Sequence, residues 1–142
     1  MGDFTIQREK RRRRSEKTQR ALIYQLEHVF SEFEMDLIVL ADHNGLIVAA
    51  AGDERAARVF AVYAKSLANG EEPNEALTAV MPDLDSERIV CESITLDELP
   101  LYLCAVMDRD EESLAGFSRA RVGLQRIYYT TGEFTKETFE GV

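Results

Sequence analysis

The chain has 142 residues, 45% of them apolar, and a formal net charge of −9. That length fits one domain with material for a core, and no apolar run approaches the ~20 residues a membrane helix needs. The start, MGDFTIQREKRRRR, has no apolar stretch after its charges, so no secretory leader is expected. Ile6 stands where an N-myristoylation pattern wants Ser or Thr, so no lipid anchor is expected either.

The charge is unevenly placed. Residues 1–20 hold 8 basic and 3 acidic groups, a net of +5, which leaves −14 on residues 21–142. A basic arm on an acidic body can fold back or seek an acidic partner. Arg11, Arg12, Arg13 and Arg14 form its densest run. Nucleic acid, an anionic membrane and an acidic protein face all suit such a run, as does a self-neutralising solubilising tail. The arm has no interleaved aromatics for base stacking and the body is strongly acidic, so sequence-specific nucleic-acid binding is not expected.

From Ala21 the pattern turns helical. Leu22, Leu26, Val29, Phe30 and Phe33 recur at spacings of three and four and share a face. The arm is expected to extend this helix toward the N-terminus, with fraying. Met35–Ala41 and Leu46–Ala51 are two apolar runs around Asp42-His43-Asn44-Gly45, a hairpin signal because Asn-Gly tolerates positive φ. Both runs are apolar on alternate and intervening residues, so helices should cover both faces of their sheet.

Asp53 is placed to cap a helix over Glu54–Ala68 that Asn69-Gly70 stops. Ala56, Val59, Phe60, Tyr63 and Leu67 form one apolar face of it. Ala57, Ala61, Ala64 and Ala68 form a stripe of small residues. A helix apolar over most of its circumference is buried on more than one side. One face is expected on the sheet, and the other needs cover that a chain this short has little left to supply.

Residues 71–86 contain Pro73 and Pro82 and are read two ways, as a short helix over Glu75–Val80 capped by Asn74 or as an irregular edge. Glu87–Leu96 and Leu99–Asp108 read as two strands joined at Asp97-Glu98. Glu111–Thr130 reads as a helix with Leu114, Phe117, Leu124, Ile127 and Tyr128 on one face, and the residues from 131 on as a polar tail holding Phe134 and Phe139. The expected organisation is an arm at 1–20, a domain at 21–130 and a tail at 131–142.

No catalytic template is satisfied. There is no Gly-x-x-x-x-Gly-Lys phosphate loop. His28 and His43 have no metal-ligand spacing to each other or to the cysteines, and read as solvated residues. Asp83, Asp85 and Glu87 lack the Gly and terminal Glu of a calcium loop and read as a solvated acidic loop. No metal or cofactor is expected.

The two cysteines, Cys91 and Cys104, form no Cys-x-x-Cys, which suits a reducing cytoplasm. If Asp97-Glu98 is a two-residue turn, opposed residues sum to 195 and the cysteines face each other. A redox switch and half of a metal site are functional readings; the expectation is a pair of small apolar core residues.

At the hairpin, MDLIVLADHNGLIVAAAG followed by an alanine-rich helix resembles the roadblock (dynein light chain) family, over about residues 20–130. The resemblance implies an α/β (α+β) fold: a profilin/roadblock-like three-layer sandwich, its central, mostly antiparallel sheet carrying one helix on one face and two on the other. The family's third strand would fall between Asn69 and Glu87, where no clean strand is legible. The resemblance further implies a dimer paired through the middle helix, here through Ala57, Ala61, Ala64 and Ala68 with Arg58 and Lys65, with sheets joined at their edges. It implies a non-catalytic platform for a Ras-like small GTPase, of the bacterial regulator type that remodels the GTPase without supplying a catalytic residue. Two other functions fit the residues: a small-ligand sensor, with Tyr63, Tyr102 and Ser93 as the polar candidates, and an adaptor subunit holding an acidic partner through its arm.

Overall fold

The computed structural model describes residues 2–96 and 99–131, with side chains described for residues 16–96 and 99–129. Its elements run α1 (Gly2–Glu32), β1 (Leu37–Asp42), β2 (Ile47–Gly52), α2 (Glu54–Ala68), α3 (Glu75–Val80), a 3-10 turn (Ser86–Arg88), β3 (Ile89–Leu96), β4 (Leu99–Val106) and α4 (Glu111–Thr131). The strands form one antiparallel sheet in the order β2-β1-β4-β3. The polar tail and the Asp97-Glu98 turn lie outside the described residues.

Side-chain alternation divides the sheet into two cores. Ile38, Leu40, Leu101, Leu103 and Ala105 face Leu22, Leu26, Val29 of α1 and Phe117, Ala120, Leu124 of α4. Leu37, Val39, Ala41, Tyr102, Cys104 and Val106 face α2, with Leu77 of the short α3 beside it. β1 is therefore covered on both sides, as its unbroken apolar run requires. β2 and β3 are the edges, and their burial is correspondingly partial.

The first hairpin is closed by more than its Asn-Gly pair. The Asp42 carboxylate accepts N–H bonds from Asn44 at 2.9 Å and Leu46 at 3.0 Å. Gly45 donates to the Asp42 carbonyl and sits at φ +80°, the turn-plus-bulge arrangement of a three-residue hairpin loop. Position 45 is also crowded, because a Cβ there would lie 3.2 Å from the Val62 Cα. This close approach locks the turn against the middle of α2.

Between Asn69 and Glu87 there is no strand. Asn74 caps α3 by accepting from the Ala76 and Leu77 N–H groups, so the short-helix reading of this stretch is the observed one. Asp85 likewise accepts the Glu87 N–H and starts the 3-10 turn. The edge of the sheet passes to β3.

On α4 the expected face needs one correction. Leu114 is 40% exposed, whereas Phe117, Ala120, Leu124 and Tyr128 are buried. The reason is the helix crossing: α4 meets α1 through Gly116, whose absent side chain leaves room for the Phe33 ring, and that rotation turns Leu114 outward.

The cysteines also need correcting. Cys91 and Cys104 stand opposite each other in the register, as the sum of 195 required, but they are joined as a disulfide and are not two free core thiols. Met107 donates to the Arg88 carbonyl, so even-numbered β3 residues bond to β4 and Cys91 falls at a non-hydrogen-bonded pair. Such pairs bring the Cα atoms closest, here to 4.1 Å.

Candidate functional site

α2 begins where the Asp53 carboxylate accepts the Ala56 N–H at 2.9 Å and ends at Asn69-Gly70. Its inward arc is Ala56, Ala57, Phe60, Ala61, Ala64 and Leu67, all buried. The two apolar stripes of the sequence are thus one continuous arc. Ala57, Ala61 and Ala64, expected against a second copy, lie on the chain's own sheet, and Ala68 is half-buried in the same cluster. Alanine side chains let the helix axis come close to the β1 and β4 surface, and that contact takes up the stripe.

The outward crest holds Arg55, Arg58, Val62 and Lys65, all exposed, with Val59, Tyr63 and Ser66 half-buried at its flanks. Of the expected interface residues, Arg58 and Lys65 therefore remain on the solvent side. Arg58 pairs with Glu54 one turn earlier, a surface pair worth about 0.5 kcal/mol or less. Val62 is 61% exposed, and Leu46, in the hairpin turn that Gly45 presses against Val62, is 64% exposed. Two large apolar side chains are thus exposed, one on the crest between Arg58 and Lys65 and one in the turn that touches it, on a chain of net charge −9. Sequence periodicity did not single them out. The available signal was that Val62 falls opposite Phe60 and Ala64 on the helix.

The backbone of Arg11, Arg12, Arg13 and Arg14 continues α1; their side chains lie outside the described residues. His43 is exposed in its turn, and exposed His28 faces Glu32 at 2.9 Å. Asp83, Asp85 and Glu87 are exposed. Among the described residues no group of three or more His, Cys, Asp or Glu side chains is placed to hold a metal ion. A cleft of about 600 Å³ lies between the end of α2 and the start of β3, beside Cys91, Glu71, Glu87 and Arg109. Tyr63, Tyr102 and Ser93, the sensor candidates, do not line it. No described helix is long and apolar enough to cross a membrane.

No family model matches the chain by sequence, and no curated protein does. Among solved structures it is similar to Myxococcus xanthus MglB, with a TM-score of 0.56 and 10% identity over 80% of this chain and 91% of that one.

The fold is roadblock-like.

At that identity the likeness is one of architecture. Among the described residues the roadblock-like sheet has four strands, and the segment where the resemblance placed a third strand carries α3 and the 3-10 turn. α2 is the middle helix in chain order and lies alone, with the short α3, on its face of the sheet.

Proposed function

We propose that this chain is a non-catalytic, cytoplasmic, homodimeric binding platform that scaffolds or regulates a Ras-like small GTPase. The observation that carries the reading is the α2 crest, where Val62 stands exposed among Arg55, Arg58 and Lys65, beside the turn that carries exposed Leu46, on a roadblock-like fold. Roadblock domains, by the resemblance set out above, pair through this helix and serve small GTPases. An antiparallel pairing of two crests centred on Val62 buries that side chain against its twin. The arginine run of the arm is the second contact, for an acidic face of the partner.

Solution mass at micromolar concentration tests the pairing: twice the chain mass is expected for the native protein and the single-chain mass for Val62→Glu. A native protein that runs as a single chain refutes the homodimer. The GTPase arm is tested by mixing with candidate small GTPases in both nucleotide states, and binding that prefers one state is expected. Equal or absent binding in both states counts against regulation.

A further inference from the structure

We propose that the Cys91–Cys104 bond is a thiol–disulfide exchange site, opened by small thiols that attack the sulfur of Cys91 from the cleft beside β3. The inference does not depend on the platform reading.

The two sulfurs differ in access. The register sets a row across the sheet, Cys91 opposite Cys104 and Cys104 opposite Val39. Cys91 is on the edge strand, partly exposed, and lines the 600 Å³ cleft. Cys104 is 1% exposed and Val39 behind it is fully buried. The Cys91 sulfur lies 3.4 Å from the Ala64 carbonyl oxygen, so α2 roofs the pair from above. Thiolates attack a disulfide in line with the bond they break. For Cys91 that line runs out past the edge strand. For Cys104 it runs into the β4–β1 interior, where no thiol can enter.

A thiolate RS⁻ forms a bond to the Cys91 sulfur, the Cys91–Cys104 bond breaks, and the electron pair leaves on the Cys104 sulfur, which takes a proton from a water-borne acid. A second thiolate attacks the external sulfur of the mixed disulfide, forming RSSR and releasing Cys91, which is protonated in turn. Two thiols are oxidised and the protein gains two electrons and two protons. The cleft also selects among thiols. Among the described residues that line it, Glu71, Glu72 and Glu87 stand against the single cation Arg109, so an anionic thiol is disfavoured relative to a neutral one.

The test treats the native, oxidised protein with β-mercaptoethanol or with glutathione, quenches in acid, and maps adducts by peptide mass. Mixed disulfide on Cys91 is expected in at least roughly tenfold excess over Cys104. β-Mercaptoethanol is expected to react several-fold faster per thiolate than glutathione at low salt, the gap closing as salt screens the carboxylates. In Cys104→Ala the remaining thiol should be modified by glutathione disulfide in the native state, whereas in Cys91→Ala modification of Cys104 should wait for denaturant. Adducts on Cys104, or a bond that opens only in denaturant, overturn the proposal. The native-protein arm stands if either variant fails to fold.

Discussion

Arg88 places its Nη1 2.6 Å from the Asp36 carboxylate and its Nε 3.2 Å from Asp108. The three residues stand just before β3, just before β1 and just after β4, so one guanidinium ties three strand ends at one end of the sheet. The hydrogen bond to Asp36 is the main reason the Arg88 pKa rises further above its ordinary value, and the group stays charged at any working pH. The Arg88 side chain is about a third exposed and the two carboxylates more so, which keeps the energy small. Arg88→Met should lower stability by about 1 kcal/mol. Denaturant unfolding in low and high salt checks this, and the loss should shrink in high salt.

Asp110 is a second charged anchor, at the start of α4. Its carboxylate accepts the Ser113 N–H at 2.7 Å. That bond, and after it the Ser113 hydroxyl, hold the carboxyl pKa below its ordinary value. The folded state thus favours the ionised form. The resulting stability is complete above the unfolded carboxylate pKa of about 3.9 and is lost as pH falls through the lower folded value. Asp110→Asn keeps a capping oxygen and removes the titration. Thermal unfolding from pH 6 downward should show a smaller fall in Tm for the variant than for the native protein, and parallel curves would refute the assignment.

Gly116 and Phe33 make a tight crossing in the helical layer. A Cβ at 116 would lie 2.4 Å from the Phe33 ring, and the ring has the Arg119 guanidinium 5.4 Å from its centroid. Alanine is a better helix former than glycine by about 1 kcal/mol, so propensity alone predicts that Gly116→Ala stabilises. The clash should win, with a net loss of about 1–2 kcal/mol by urea unfolding. Adding Phe33→Leu should recover part of it, because a smaller side chain leaves room for the new methyl.

Much of this architecture was legible from residue order, and the misses share a cause. The spans of α2 and α3 follow from Asp53, Asn74 and Asn69-Gly70, because caps and stops are local chemistry. The cysteine register followed from turn length. The bond between the cysteines did not, because pairing in a ladder leaves their oxidation state open. Periodicity says which residues share a helix face, but not what covers that face. Ala57 and Ala61 lie one helical step around from Ala56 and Phe60, so the two stripes merge into one arc against the sheet. Leu114 was misplaced for the same reason: the α1 crossing at Gly116 sets the rotation of α4, and that is a contact between distant residues. The exposed pair Val62 and Leu46 depends on the close approach of Gly45 to α2, which no local pattern carries.

That distinction changes which substitution can test dimerisation. Ala61 is buried against the sheet, so Ala61→Glu puts an unpaired charge into the chain's own core and should cost several kcal/mol, about 3–5. Its loss of a dimer would report unfolding, not a broken interface. Val62→Glu adds the charge on the crest, where a single chain has water to solvate it. Circular dichroism and urea unfolding should therefore show Ala61→Glu largely unfolded and Val62→Glu within about 0.5 kcal/mol of the native single chain. Light scattering on the folded Val62→Glu protein should then give the single-chain mass. If Val62→Glu keeps twice the chain mass while remaining folded, the crest of α2 is not the pairing surface.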